Sequence, residues 1–163
     1  MNGVEDKADE TKEFHKAKIS ALRLLKTRNR SEKEIQDRLA RKNFHQRTIT
    51  KTIEFLKNAR LVDDRQFTKA WIDARLKKPF GIHRISFELK EKGIHNDVIK
   101  EGLSRLTESY PEDEIVMALA KKRFSKYKNL DNAVAKHRLF GYLVRRGFNS
   151  DAIQKAIKQI CRE

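Results

Sequence analysis

An apolar pattern of helical spacing occurs three times along the chain, and it limits the available folds more than any other feature. A shift of 50 residues superimposes the first copy on the second, and a further shift of 54 superimposes the second on the third. Six apolar positions match in every copy: Ile35, Leu39, Phe44, Ile49, Ile53 and Leu56; Ile85, Leu89, Ile94, Ile99, Leu103 and Leu106; Leu139, Leu143, Phe148, Ile153, Ile157 and Ile160. A repeat of this length indicates one structural unit used three times.

The spacing inside each copy is that of paired helices with one buried face, and no segment alternates as a strand does. Each pair follows an earlier helix, the first of which we expect at about Phe14 to Thr27. The sequence therefore predicts an all-α fold of nine helices, in three tandem three-helix repeats that are helix-turn-helix-like, elongated and curved. We expect a flexible N-terminal tail at 1–13, and repeats at 14–60, 61–109 and 110–163.

The connector inside each repeat has the chemistry of a helix-ending turn. Asn43, Gly93 and Gly147 come just after the last periodic residue of a helix, where the chain must enter the left-handed region. Glycine adopts that conformation without penalty, and asparagine is the next best residue. In the second repeat, Pro79 and Gly81 separate the first helix from its successor.

Polar residues mark the helix starts. Ser31 with Glu34 predicts a capping box, and Asp63 predicts an N-cap. The pair Asp63 and Asp64 could also suggest metal binding or acid catalysis, but no histidine or second carboxylate cluster lies nearby at ligand spacing, so capping is the simpler interpretation. Further predicted starts are N-caps at Asn96 and Ser150 and a first helical residue at Pro111.

The charge balance indicates the kind of partner. Apolar residues make up 38% of the 163 and charged residues 37%, which favours several thin cores over one large core. Lys and Arg outnumber Asp and Glu by 38 to 23, a formal charge of +15. This excess indicates a polyanionic or acidic partner: nucleic acid, an acidic protein groove and an anionic membrane surface all remain open.

Several classes of site have no support in the sequence. Cys161 is the only cysteine, which rules out an internal disulfide and a cysteine zinc site. The five histidines are scattered, and there is no phosphate-binding glycine loop or nucleophile elbow. The acidic start does not look like a signal peptide, and no run of eighteen apolar residues predicts a membrane span. We expect a cytoplasmic, monomeric protein that is not an enzyme and binds no metal or cofactor.

The basic residues are the candidate contact residues. The segment "KKRFSKYK", Lys121 to Lys128, places five cations around two aromatic residues, and other cations lie near helix C-termini, where the helix dipole alone would favour them. Trp71 and Phe80 are further aromatic candidates, although Trp71 beside Ile72 also fits a core position. The basic candidates are Arg38, Arg41, Lys42, Arg84, Lys90, Lys92, Lys121, Lys122, Arg123, Arg145 and Arg146.

Tandem helix-turn-helix units could also bind DNA directly, with the third helix of each repeat in the major groove. The third helix of the second repeat is poorly suited to this, because its acidic residues would face phosphates. Its charged residues are Asp97, Glu101 and Glu108 against Lys100 and Arg105. A stand-alone DNA-binding protein remains the alternative, and a scaffold that does not depend on nucleic acid is a third hypothesis.

Four segments together resemble the RecX regulatory proteins, which modulate the bacterial RecA recombinase. They are "LRLLKTRNRSEKEIQDRLARKNF", "LVDDRQFTKAWIDAR", "FGIHRISFELKEKGI" and "RLFGYLVRRGFNSDAIQKAI", in the family's order and spacing and covering nearly the whole chain after about residue 14. The chain departs from the family at a few turn and packing positions. The family often has Gly where this chain has Ala59 or Arg60 and where it has Asn43, and usually Ala at Thr68.

The resemblance implies a protein of three three-helix repeats that lies along the helical groove of a RecA filament on DNA. There it would limit strand exchange, ATP hydrolysis and the co-protease activity of RecA, and so act in DNA repair and SOS regulation. The implied partners are the RecA filament and, more weakly when the protein is alone, DNA. A thin array of small bundles and a positive charge are compatible with such a groove.

Overall fold

The computed structural model describes residues 2–107 and 110–161, and within them the chain forms nine α-helices and no strand. A single 3-10 turn, Ser125–Tyr127, follows the seventh helix. This confirms the all-α prediction. The helices are α1 (Asn2–Thr27), α2 (Glu32–Ala40), α3 (Gln46–Asn58), α4 (Asp64–Leu76), α5 (Ile82–Glu91), α6 (Asn96–Thr107), α7 (Glu112–Phe124), α8 (Asn132–Arg145) and α9 (Ser150–Ile160).

The chain divides into two compact units, of which the first comprises Met1–Lys69 and Glu91–Val98. Its core lies among α1, α2 and α3, where small residues of α1 let the helices approach closely. Leu25 and Phe44 pack against this core from its edge. The core residues are Ala17, Ala21, Ile35, Leu39, Ile49, Ile53, Leu56 and Val62.

The second unit comprises Ala70–Lys90 and Ile99–Glu163, so the second repeat contributes residues to both units. One core of this unit is built from α7, α8 and α9: Val116, Ala120, Leu139, Leu143, Phe148, Ala152, Ile153 and Ala156. Of the eighteen apolar positions that match between repeats, fourteen are buried and the other four are half-buried. The repeat pattern therefore locates the interior of each bundle.

Each predicted turn contains a residue with positive φ. The φ angles are 60° at Asn43, 76° at Gly93 and 79° at Gly147. A fourth such residue ends α3, where Arg60 has a φ of 54°. There the Arg60 N–H donates to the Lys57 carbonyl oxygen at 2.9 Å and the Leu61 N–H donates to the Leu56 carbonyl oxygen at 2.9 Å, the paired bonds of a helix-ending turn.

Gly81 has a packing role as well as separating α4 from α5. Its N–H donates to the Arg146 carbonyl oxygen at 2.9 Å, and the His83 N–H donates to the Gly147 carbonyl oxygen at 3.2 Å. A Cβ atom at Gly81 would lie 2.0 Å from that Gly147 oxygen. The start of α5 therefore meets the turn between α8 and α9 backbone to backbone, and only glycine allows this approach.

The first helix starts earlier than predicted, at Asn2 rather than near Phe14. Its added turns are held by α3: Arg47 forms an ion pair with Glu10 at 2.8 Å, and the His45 N–H donates to Glu13 at 3.1 Å. Thr48 also donates a hydrogen bond to Glu13, and this bond is the main cause of the lowered pKa of that carboxyl. These partners are distant in sequence, so apolar periodicity does not detect them.

The helix starts partly differ from the prediction. Asn149, not Ser150, is the N-cap of α9, and its side chain accepts a hydrogen bond from the Asp151 N–H at 3.0 Å. Pro111 is the N-cap of α7 rather than its first residue, and Asn96 is the first residue of α6. Each prediction differs from the structure by one position, because sequence signals locate a helix end only to within one or two residues.

The acidic pair at the start of α4 caps two helices. Asp63 accepts hydrogen bonds from the Arg65 and Gln66 N–H groups, at 2.8 and 3.1 Å, as an N-cap does. Asp64 instead accepts from the Glu32 N–H at 2.9 Å, so it caps α2. Burial raises the pKa of Asp64 above its ordinary value.

Glu34 joins α2 to the segment that follows α5. Its amide donates to Ser31, as in a capping box, but its carboxylate binds Arg28 at 2.9 Å and Lys92 at 2.6 Å. Burial opposes its ionisation, yet the hydrogen bonds and positive charges of these two partners outweigh burial and lower the pKa of Glu34 to about 2. The Ser31 hydroxyl also donates to the Lys92 carbonyl oxygen at 2.7 Å.

The substitution Arg60→Gly should stabilise the protein by about 0.5–1 kcal/mol, because it removes left-handed strain at the cost of a more flexible unfolded chain. Ala59→Gly is the matched control: Ala59 has a φ of −78°, and glycine there should destabilise by a similar amount. Urea denaturation measures both. Equal effects of the two substitutions would show that the conformation of Arg60 is not strained.

Low pH should reduce the free energy of unfolding through protonation of Glu34. Its folded pKa of about 2 lies below its ordinary value of 4.5, so its stabilising contribution is complete above pH 4.5 and is lost as the pH falls towards 2. Glu34→Gln should lower the free energy of unfolding at pH 7 by up to about 3 kcal/mol and flatten its dependence on pH in that window.

Urea titrations across pH 2–7 measure this effect, and Glu91→Gln, at an exposed carboxyl of α5, is the control for loss of one negative charge. If the two variants had the same profile, the ion pairs of Glu34 would contribute nothing measurable.

Candidate functional site

The structure separates the predicted basic residues by exposure. The exposed candidates are Arg38, Arg41, Lys42, Lys90, Lys121, Lys122 and Arg145. The half-buried candidates are Arg84, Lys92, Arg123 and Arg146. Lys92 is held by Glu34, as described above, and the exposed Lys42 ammonium donates to the Ser20 hydroxyl at 2.6 Å.

A network of arginine and aromatic side chains runs through the second unit, beginning at α4 and α5. The Arg75 guanidinium lies 4.3 Å from the centre of the Trp71 ring and donates to the carboxylate of Glu88. The Trp71 indole N–H donates to the same carboxylate at 3.2 Å, and Arg84 Nε donates to it at 3.0 Å. Burial disfavours ionisation of Glu88, but these donors lower its pKa on balance.

The network continues from Arg84 to α8 through stacked rings. The Arg84 guanidinium lies 4.6 Å from the Phe80 ring centre, and Arg146 lies 5.5 Å from the same ring. Arg146 also lies 5.0 Å from the Tyr142 ring and donates to the Pro79 carbonyl oxygen at 3.1 Å. Both arginines are therefore stacked and hydrogen-bonded, a geometry that suits a guanidinium and not an ammonium group.

Arg123 extends the network to the end of α7. Its guanidinium lies 4.8 Å from the Tyr142 ring and 5.5 Å from the Tyr127 ring, and its Nε donates to the Tyr127 hydroxyl at 2.9 Å. We call the whole set the arginine–aromatic ladder: Trp71, Arg75, Glu88, Arg84, Phe80, Arg146, Tyr142, Arg123 and Tyr127.

The ladder contains residues that the sequence analysis missed, namely Arg75, Glu88 and Tyr142, and it includes Tyr127 of the segment Lys121 to Lys128. A signal for them exists, because four pairs are spaced i,i+4 and such residues are neighbours on a helix or helical turn. The pairs are Trp71 with Arg75, Arg84 with Glu88, Arg123 with Tyr127, and Tyr142 with Arg146. Trp71 and Phe80 are half-buried members of this network, so contact of either residue with a partner stays a prediction.

Two groups of exposed cations form the candidate interface. Lys121, Lys122, Lys126 and Lys128 are exposed around the end of α7, whereas Arg123 between them points into the ladder. A second exposed group lies at the C-terminal ends of the second helices, with Arg38 and Arg41 in the first repeat and Lys90 in the second. Contact of either group with a partner stays a prediction.

The third helix of the second repeat, α6, exposes both acidic and basic side chains. Asp97, Lys100 and Glu101 of α6 are exposed, so a polyanion at this helix would meet carboxylates as well as an ammonium group. Glu108 and the side chain of Arg105 lie outside the described residues.

The described part of the chain contains no group of three His, Cys, Asp or Glu side chains arranged to hold a metal ion. In the same residues, no helix combines the length and the apolar character that are needed to cross a membrane. The fold and its surface define a basic protein of tandem three-helix units.

Comparison with known proteins identifies the family. The models of the first, second and third three-helix domains of RecX match residues 17–56, 63–103 and 111–157, in that order. The regulatory protein RecX of Chlorobium phaeobacteroides is 36% identical over 143 residues, which are 87% of this chain and 91% of that protein. The protein of the same name from Clostridium perfringens strain SM101 is 33% identical over 150 residues, 91% of this chain and 70% of that protein.

Solved structures share the fold. A crystal structure of RecX from Lactobacillus salivarius matches 94% of this chain and 99% of its own with a TM-score of 0.77, at 22% identity. A second crystal structure, of a regulatory protein RecX, matches 98% of this chain and 78% of its own with a TM-score of 0.81, also at 22% identity. The chain belongs to the RecX family of regulatory proteins.

We expect substitutions of two neighbouring arginines to differ in their effect on stability, because only Arg146 belongs to the ladder. Arg146→Lys keeps the charge but loses the planar stack between Phe80 and Tyr142, and it should destabilise the protein by about 1–2 kcal/mol. Arg145→Lys, at the exposed neighbour, should change the free energy of unfolding very little. Urea denaturation compares the two variants, and equal midpoints would contradict a stabilising role for the ladder.

Proposed function

We propose that this protein is a non-enzymatic regulator of the RecA recombinase that binds RecA filaments on DNA and mainly inhibits them. The observation that carries the proposal is membership of the RecX family of regulatory proteins, supported over all three repeats. By occupying the filament groove, the protein limits strand exchange, ATP hydrolysis and co-protease activity.

The charge of the described surface supports this proposal. Four exposed lysines lie within eight residues at the end of α7, and the whole chain carries a formal charge of +15. A filament that contains nucleic acid is polyanionic, so these lysines speed encounter and hold the protein against it. Arg123 is a weaker candidate for this role than the lysines, because it is half-buried and its guanidinium lies near two tyrosine rings.

Direct DNA binding by the third repeat is the second candidate function. The exposed side chains of α9 include Gln154, Lys155 and Lys158, which are suitable residue types for a helix that enters a DNA groove. Among the described side chains, the charged residues exposed on α9 are two lysines and one carboxylate, Asp151, whereas those exposed on α6 are one lysine and two carboxylates, so α9 is the better candidate for DNA contact.

Two double charge reversals separate the candidates, and each serves as the matched control for the other. Lys122→Glu with Lys126→Glu changes the end of α7, and Lys155→Glu with Lys158→Glu makes the same change of charge on α9. The first readout is RecA-dependent ATP hydrolysis on single-stranded DNA, with cognate RecA and stoichiometric protein. The second is binding of a labelled DNA duplex at physiological salt, without RecA.

The filament proposal predicts that the original protein slows ATP hydrolysis and that the α7 variant is about tenfold weaker, from the loss and reversal of two surface charges. The α9 variant should inhibit normally. Tight, salt-sensitive DNA binding that only the α9 variant loses, without any effect of the original protein on RecA, would support the second candidate and contradict the first.

A further inference from the structure

An exposed aromatic side chain marks a groove that the lysine surface does not include. Phe87 of α5 is 63% exposed, the largest exposure among the big apolar side chains of the described residues. Val144 of α8 is 44% exposed and lines the same groove, which has a volume of about 350 Å³. The full lining is His83, Arg84, Phe87, Glu88, Val144, Arg145 and Gly147.

Hydrogen bonds join the two sides of this groove. The backbone hydrogen bonds of Gly81 with Arg146 and of His83 with Gly147 join its two sides. Arg84 adds a side-chain hydrogen bond to the Arg145 carbonyl oxygen at 3.0 Å. Binding of a partner in the groove therefore requires little ordering of the protein, which favours binding even of a single inserted side chain.

The charges around the groove are positive on balance. Arg84 and Arg145 contribute two positive charges to the lining, and Glu88 contributes one negative charge that Arg75 and Arg84 already bind. An apolar floor with a cationic rim complements an apolar side chain flanked by carboxylates. A sugar-phosphate backbone is a poorer match, because it has no apolar side chain to place against Phe87 and Val144.

We propose that this groove binds an acidic protein segment that inserts a leucine-sized side chain between Phe87 and Val144 and places carboxylates beside Arg145. The occupant is a polypeptide with apolar residues at helical spacing, a common mode of helix recognition. This goes beyond the proposed function, because it concerns a surface that does not include the lysines at the end of α7 and requires neither DNA nor RecA.

The probe is a fluorescein-labelled amphipathic peptide with leucines at i,i+4 and glutamate at most other positions, and polyglutamate is the control for charge alone. Fluorescence anisotropy should show tighter binding of the amphipathic peptide. Phe87→Ala should weaken it about tenfold or more, and Val144→Ala should weaken it severalfold, through lost apolar contact.

Val134→Ala is the matched control, because Val134 is on the same helix and is 42% exposed. It should bind the peptide with unchanged affinity. Arg145→Glu should weaken binding about tenfold and repel polyglutamate. Phe87 and Val144 lie outside the cores, so circular dichroism and urea midpoints should stay unchanged, and the exposed Arg145 gives an independent variant if either apolar change affects folding.

Equal affinity of the original protein and all groove variants would overturn the proposal, and so would binding of polyglutamate as tight as that of the amphipathic peptide. The last measurement is the binding of a labelled oligothymidine to the original protein and to Phe87→Ala. If Phe87→Ala weakened oligothymidine binding and left peptide binding intact, the groove would be a base-stacking site and not a protein-docking site. Failure to inhibit RecA would contradict the proposed function without affecting these measurements.

Discussion

The left-handed turn that ends a helix is the constraint on which the three repeats depend. A helix as short as α2, with nine residues, is marginal alone and must bury its apolar face against a neighbour. The positive φ of Asn43, Gly93 or Gly147 reverses the chain within a few residues, so that the next helix can pack on the one just completed. Because the same turn recurs, each repeat forms its interior from few apolar residues. Such small interiors are compatible with a composition that has almost as many charged as apolar residues.

The turn and the apolar repeat are local properties, and they explain why so much of the fold could be predicted. All eighteen matched positions, from Ile35 to Ile160, are buried or half-buried. The remaining differences have tertiary causes. The early start of α1 depends on Glu10 and Glu13 meeting α3, and Asp64 caps α2 from a position 32 residues further along the chain. No periodicity encodes such contacts, because they require two elements to be adjacent in space.

The candidate site was predicted less completely, because formal charge does not distinguish a structural cation from an exposed one. Arg84, Arg123 and Arg146 are candidates because of their charge, yet they are half-buried and their guanidinium groups lie over aromatic rings of the second unit. Lysines predominate at the end of α7, where the side chains remain in solvent. The division follows from chemistry: a flat, weakly hydrated guanidinium packs against rings, whereas a compact ammonium group is better solvated by water. Spacing of i,i+4 reveals the pairs within the ladder, but only the fold shows that Phe80 and Tyr142 join them.

This division means that ionic strength acts on two parts of the protein in different ways. At about 0.15 M salt the screening length is about 8 Å, so attraction between the exposed lysines and a polyanion weakens readily as salt is added. The half-buried guanidinium groups of the ladder are within a few ångströms of their partners, so salt screens their interactions less. A rise in salt would therefore release the protein from a polyanion while leaving its bundles folded. The exposed lysines are thus the charges that respond to ionic strength, and the arginines of the ladder are charges that contribute to the fold.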